Sequence, residues 1–203
     1  MWTLPARVAA CLSMLLLVPA ASAPTAGLGQ PPYPPGAYEV DSRRTRVHFQ
    51  VKSLFGGYQG DFLEPTGTVT IDPRRPNRAD IDISFPVSSL TTGDASTDQM
   101  LKGGSFFDME HYPAIRFAAN DALIGQSDLL TVNGQLTMHG RTRTIAIAAR
   151  LAGLDPDILS DARPTLRFIG AASVKRSQFG MGFGRPFVAN RVDLSIDATF
   201  RQL

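Results

Sequence analysis

The chain has 203 residues, a length that suits one domain, and its 43% hydrophobic and 19% charged residues are those of an ordinary globular protein. A formal net charge of +2, with Lys and Arg scattered apart from Arg43-Arg44 and Arg74-Arg75, supplies no overall field for a nucleic acid or an acidic membrane surface. One cysteine, Cys11, excludes an internal disulfide and a thiolate metal cluster.

Residues 1–23 read as an export signal. Arg7 is the positive start, Val8 to Val18 is apolar, and Ala21-Ser22-Ala23 is the small-residue cleavage site. The apolar run is shorter than the roughly 20 residues that span a bilayer, so no stable membrane insertion is expected. Cys11 lies too early for a lipoprotein box, and cleavage after Ala23 would remove it. A periplasmic or secreted protein is expected. Residues 24–36 (PTAGLGQPPYPPG) are a Pro/Gly-rich linker, and residues 37–203 form the domain.

From Tyr38 onward the period is two. Val47, Phe49 and Val51 alternate with Arg46, His48 and Gln50; a turn at Leu54 to Gly57 leads to Tyr58–Asp61 and a strand through Thr68–Ile71. Asp72 to Asn77 is turn chemistry, and Ile81, Ile83 and Phe85 form the next apolar face. Then the pattern breaks. Thr91, Thr92 and Asp94 lead into Asp98-Gln99-Met100-Leu101-Lys102, and Gly103-Gly104 stops it, predicting a short helical insertion around residues 94–108 with Asp98 as a capping residue.

Strand character resumes at Ala114. Leu130, Val132, Leu136 and Met138 share one parity straight through Asn133-Gly134, so that pair reads as a glycine kink inside a strand, with the turn at His139-Gly140. Ile145 to Leu151, Leu166 to Val174 and Val192 to Phe200 repeat the alternation around a polar loop, Gly153 to Pro164. These elements predict an all-β, antiparallel barrel of about eight strands. Small inward residues (Gly134, Ala149, Gly170, Ala172, Ala198) would leave room for an apolar guest, unless larger neighbours fill it.

Catalytic patterns are sparse. His48, His111 and His139 lack the spacing of a local metal pair, so no metal is expected, and no Gly-x-Ser-x-Gly elbow occurs. Asp98, Asp108 and Glu110 are the only candidate carboxylate group. The run from Phe179 to Phe187 is glycine-rich without G-x-G-x-x-G and reads as a loop at a barrel mouth. Arg176 and Arg185 beside it read as solvated, the alternative being contact with an anionic or quinone-like head group.

Several pieces in order resemble the YceI-like family of exported lipid-binding barrels. They are Tyr38-Glu39-Val40-Asp41, Val47-His48-Phe49, Gly60-Asp61-Phe62 and Gly67 to Pro73; then Asp98, Leu101, Phe106-Phe107-Asp108, Tyr112-Pro113 and Phe117; and last Gly134 to Gly140 and Arg176 to Gly180. The resemblance implies an extended, lipocalin-like barrel in the periplasm that holds a polyisoprenoid, an isoprenoid quinone or a similar lipid, with no cofactor and no covalent chemistry. Two positions depart from the family: Met100 stands where a histidine is common, and Lys52-Ser53-Leu54-Phe55 occupies the region of another.

The residues expected to line the site are Phe49, Phe85, Met100, Phe107, Phe117, Leu136, Met138 and Phe168. Partners would be a long-chain lipid and no nucleic acid, with monomer and homodimer both compatible. Two other readings remain at this point: a stress-protective barrel with a filled core, and a hydrolase of a small amphiphile built from His111, Asp98 and Asp108.

Overall fold

The structure, a computed structural model, describes residues 34–54, 56–72, 74–75, 78–123, 129–154 and 164–203. The expected export signal and most of the linker lie outside them. Ten strands follow in order: β1 (Gly36–Val40), β2 (Arg46–Ser53), β3 (Gly56–Phe62), β4 (Thr66–Ile71) and β5 (Arg78–Pro86); then helix α1 (Ala95–Lys102); then β6 (Ala114–Leu123), β7 (Leu129–Met138), β8 (Arg141–Leu154), β9 (Thr165–Lys175) and β10 (Val188–Gln202). Every pairing is antiparallel.

β10 closes the ring. One of its edges pairs with β9, from Arg191↔Lys175 to Arg201↔Thr165. Its other edge carries β2 over Val188 to Asp197 and then β1 over Phe200 to Gln202. β1 and β2 therefore run end to end as one interrupted stave. β3 and β4, paired to β2 and β1, form a second. Counted this way the ten strands make an eight-staved closed barrel, as the alternation predicts.

The interruption is bridged by hydrogen bonds to β10. Thr199 of β10 accepts from the Asp41 N–H (2.8 Å) and the Thr45 hydroxyl (3.2 Å), and its own N–H donates to Thr45 Oγ1 (2.9 Å). Both threonines are buried because their polar atoms satisfy one another. Ahead of it, the Tyr38 hydroxyl donates to the Pro34 carbonyl (2.7 Å), and Gln202 Nε2 donates to that of Pro35 (3.2 Å). Pro34 to Gly36, read as the end of the linker, is thus tied to the barrel, and β1 already begins at Gly36.

The free edge of β3 is covered by the chain leaving β5. Asp61 and Thr91 exchange two backbone hydrogen bonds (2.8 and 3.0 Å), after which α1 begins. Its N-cap is Asp94, whose side chain accepts from the Thr97 N–H (2.7 Å), and Gly103 ends it. This corrects the expectation for Asp98. That residue sits in the first turn and reaches back to accept from the Thr92 N–H and hydroxyl, both at 2.6 Å, bracing the helix on the β3 crossing. Leu101 is the buried residue of α1 and joins Phe49, Phe62, Ile115 and Leu136 in one core cluster.

β7 runs straight through Asn133-Gly134, as its parity predicts. The reason is a neighbour on β6: a Cβ on Gly134 would overlap the Phe117 ring and lie 2.8 Å from the Ala118 carbonyl oxygen. The missing side chain makes room for an aromatic one, so this glycine contributes nothing to an internal space.

Candidate functional site

The barrel is hollow. A cavity of about 490 Å³ runs inside it, within the roughly 300–1,000 Å³ typical of small-molecule sites. Its deep half lies among Tyr38, Ile71, Leu166 and Phe200, a buried cluster that also packs Phe168. Phe85 touches both this cluster and the one that holds Phe49 and Leu136, and so sits where the two halves of the barrel meet. Outward from there the walls lead to a mouth formed by Tyr58, Met100, Phe106, Phe183 and Phe187.

All eight residues expected at the site line this cavity. Phe49, Leu136 and Met138 are buried on its wall. Phe85, Phe117 and Phe168 are only partly buried, as residues facing an internal space are. Phe107 comes from the turn after α1 and sets its ring against Phe62, edge to face at 5.3 Å between centroids. Met100 stands apart. It is 45% exposed and occupies the rim, because α1 presents Leu101 inward and leaves Met100 beside the opening.

The glycine-rich run read as a mouth loop does lie at the mouth, but the sequence did not single out its lining aromatics. Phe183 and Phe187 come from an irregular loop, and Phe106, stacked edge-on against Phe183 at 5.5 Å, from a turn; neither has a period to reveal which way a side chain faces. Among the small residues, Ala149, Gly170, Ala172 and Ala198 do face the cavity, and Gly134 does not.

Arg176 is the largest correction. It is not solvated but 5% exposed, at the edge of the cavity. Its guanidinium donates from Nε to the Ala189 carbonyl (2.8 Å), from one terminal nitrogen to Met181 (3.0 Å) and Phe183 (2.6 Å), and from the other to Val188 (2.9 Å). No carboxylate pairs with it among the described residues. Desolvation, with the neighbouring charge of Arg185, lowers its pKa. The side chain is a clasp for the loop between Gly180 and Val188, which forms one side of the mouth. Arg185 itself is exposed.

The lining is otherwise apolar. Its polar side chains are those of Tyr38, Thr45, Ser53, Tyr58 and Arg176, with no His, Asp, Glu or Lys. The residues weighed for catalysis are elsewhere. His48 pairs with Asp61 (3.0 Å), His139 Nδ1 meets the Phe179 carbonyl (3.0 Å), and His111 pairs with Asp108 (2.9 Å) on an exposed turn. Asp98 is held by Thr92. A histidine, carboxylate or lysine to serve as general base is missing from this lining.

The His111–Asp108 pair gives a checkable shift. The hydrogen bond from Asp108, its charge and that of Glu110 raise the His111 pKa above the usual histidine value. The stabilisation from this pair is therefore complete below the unfolded-state pKa near 6.5 and fades as pH rises through the higher folded value. An NMR titration of the histidine ring protons should place the His111 midpoint above that of an unstructured histidine, and Asp108→Asn should bring it down. An unmoved midpoint would show that the pair does not form in solution.

Comparisons with known proteins agree with this architecture. The YceI-like domain family matches residues 38–200. A UPF0312 protein of Pseudomonas aeruginosa is 26% identical over 147 residues, covering 71% of this chain and 75% of its own. Among solved structures, BcnA of Burkholderia cenocepacia superposes with a TM-score of 0.68 at 23% identity, over 79% of this chain and 98% of that one. A polyisoprenoid-binding domain from Saccharophagus degradans superposes with a TM-score of 0.64 at 12% identity, over 82% and 98%. Since the family match runs from within β1 to within β10, over most of the chain, the chain belongs to the YceI-like family.

Proposed function

We propose that this protein is an exported carrier that binds a long apolar or amphiphilic lipid, of the polyisoprenoid or isoprenoid quinone class, non-covalently inside the barrel. The observation that carries this reading is the cavity: open at one mouth, lined almost wholly by hydrocarbon and without a His, Asp, Glu or Lys. Such a site favours burial of a chain over turnover of a bond. Each methylene moved from water into it contributes about 0.8 kcal/mol. Several isoprene units therefore outweigh the roughly 4–15 kcal/mol of lost translational and rotational freedom on association. The polyisoprenoid-binding domain with the same fold supports the ligand class, and the signal-like residues 1–23 support export.

The test is organic extraction of the purified protein followed by mass spectrometry, repeated after incubation with a polyprenyl quinone. A single lipid species near one per chain is expected. Ala172→Trp, which fills the cavity from β9, should fold normally while displacing about three methylenes of the guest, weakening loading roughly fiftyfold. An empty extract before and after incubation would overturn the reading.

A further inference from the structure

The mouth of the cavity carries an exposed apolar rim that nothing in the barrel covers. Phe183 is 60% exposed, Phe187 55%, Met100 45% and Tyr58 40%, yet all four also line the cavity. Leu54, 71% exposed, is joined to them by the hydrogen bond from its N–H to the Phe187 carbonyl. Scattered surface apolar residues are ordinary; several gathered at the opening of an apolar cavity are not.

The charged side chains within the segments that build it are basic. Three segments build the rim: residues 51–54 and 56–59 at the turn of the β2–β3 hairpin, residues 100–107 from the end of α1, and residues 182–188 of the loop held by Arg176. Their charged side chains are Lys52, Lys102 and Arg185, and no Asp or Glu occurs in any of the three. The nearest acids along the chain have partners of their own, Asp61 in His48, Asp98 in Thr92, Asp108 in His111 and Asp193 in Arg191 and Ser173, and the charges of Lys102 and Lys52 also act on Asp98 and Asp193. A chain with almost no net charge thus carries three cations on the segments that supply these five exposed apolar side chains.

We propose that this rim docks reversibly on an anionic lipid bilayer, so that lipid passes between bilayer and cavity without crossing water. Aromatic and apolar tips sink to the depth of the head groups, while Lys52, Lys102 and Arg185 meet anionic lipid. Arg176 keeps the Phe183–Phe187 part of the rim in place. Docking rests on the carrier reading for its purpose, but its measurement needs no ligand.

Flotation of the purified protein with vesicles tests it. The protein is expected to float with phosphatidylcholine vesicles containing phosphatidylglycerol, much less with phosphatidylcholine alone, and less as salt rises. Reversing the charges (Lys52→Glu, Lys102→Glu, Arg185→Glu) should weaken flotation by about a hundredfold while loading of a polyprenyl quinone from detergent stays unchanged. Phe183→Ser with Phe187→Ser should abolish flotation in a protein whose circular dichroism is unaltered. Three results would overturn docking: no flotation of the wild type, flotation indifferent to the charge reversals, or a dimer in solution that dissociates on changing Phe183 and Phe187, which would make the rim a contact between copies. A protein that floats but takes up no lipid would leave docking standing and sink the carrier reading. One that loads but does not float would do the reverse.

Discussion

Replacing Arg176 with Met is expected to cost about 2–4 kcal/mol of stability, since it strips donors from carbonyls held in a largely desolvated setting. For a chain of this size that is a fall of roughly 4–16 °C in Tm. The carbonyls of Met181, Phe183, Val188 and Ala189 all lose their partner at once. Only water could replace it, and the loop would have to leave the barrel edge to be hydrated. Hydrogen exchange should therefore quicken first between Gly180 and Val188, before the strands respond. Arg176→Lys should recover only part of the loss, because an ammonium lacks the planar fork that reaches carbonyls on different sides. A Met variant with wild-type Tm and unchanged exchange in that loop would show that the clasp contributes nothing.

The second large effect is expected at Gly67, where β4 meets β5 opposite Ile83. Its φ is +129°, and a Cβ there would overlap the Asp82 carbonyl oxygen and lie 2.9 Å from the Ile83 Cα. Both obstacles are backbone, so no side chain can swing away. Gly67→Ala should cost roughly 3 kcal/mol or more, combining backbone strain with overpacking. Gly56 is the matched control. Its φ is +118°, but a Cβ would meet nothing within 4 Å, so Gly56→Ala should show about 1–3 kcal/mol of strain alone. Denaturant unfolding of both variants separates the two contributions. Equal losses would mean that the β4–β5 ladder shifts to admit the methyl.

What the sequence could say follows from what alternation encodes. In an antiparallel barrel each strand turns one parity inward, so Phe49, Phe85, Phe117, Leu136, Met138 and Phe168 were readable as inward-facing without knowing their neighbours. The same holds for α1, framed by Asp94 and Gly103, although two nearby aspartates made the cap ambiguous. Asp98 is the better helix-start candidate by position alone. Only the fold of Thr92 back onto it shows that its hydrogen bonds go elsewhere.

Alternation does not encode distance across the barrel. Whether inward residues meet or leave a space depends on strand number, tilt and stagger, which are properties of the closed ring. Hence the sequence alone left a filled core and a hollow one equally open, and closure through β10 decided for a cavity of about 490 Å³. Gly134 shows the same limit at one residue: it looked like vacant space, and the Phe117 ring from the next strand occupies it. Irregular segments have no period at all, so the glycine-rich run could be read as a loop at the mouth while which of its side chains, Phe183 and Phe187, line the opening, and that Arg176 is buried, could not.

By itself, then, the sequence determined the class of fold, the inward face of each strand and the apolar character of the interior, because these are local consequences of which side chains alternate. The tertiary structure alone decided that the interior is hollow, that Arg176 is buried against four carbonyls, and that Tyr58, Met100, Phe183 and Phe187 meet at one apolar mouth. Each of these joins residues far apart in the chain, and only closure of the barrel brings them within reach of one another.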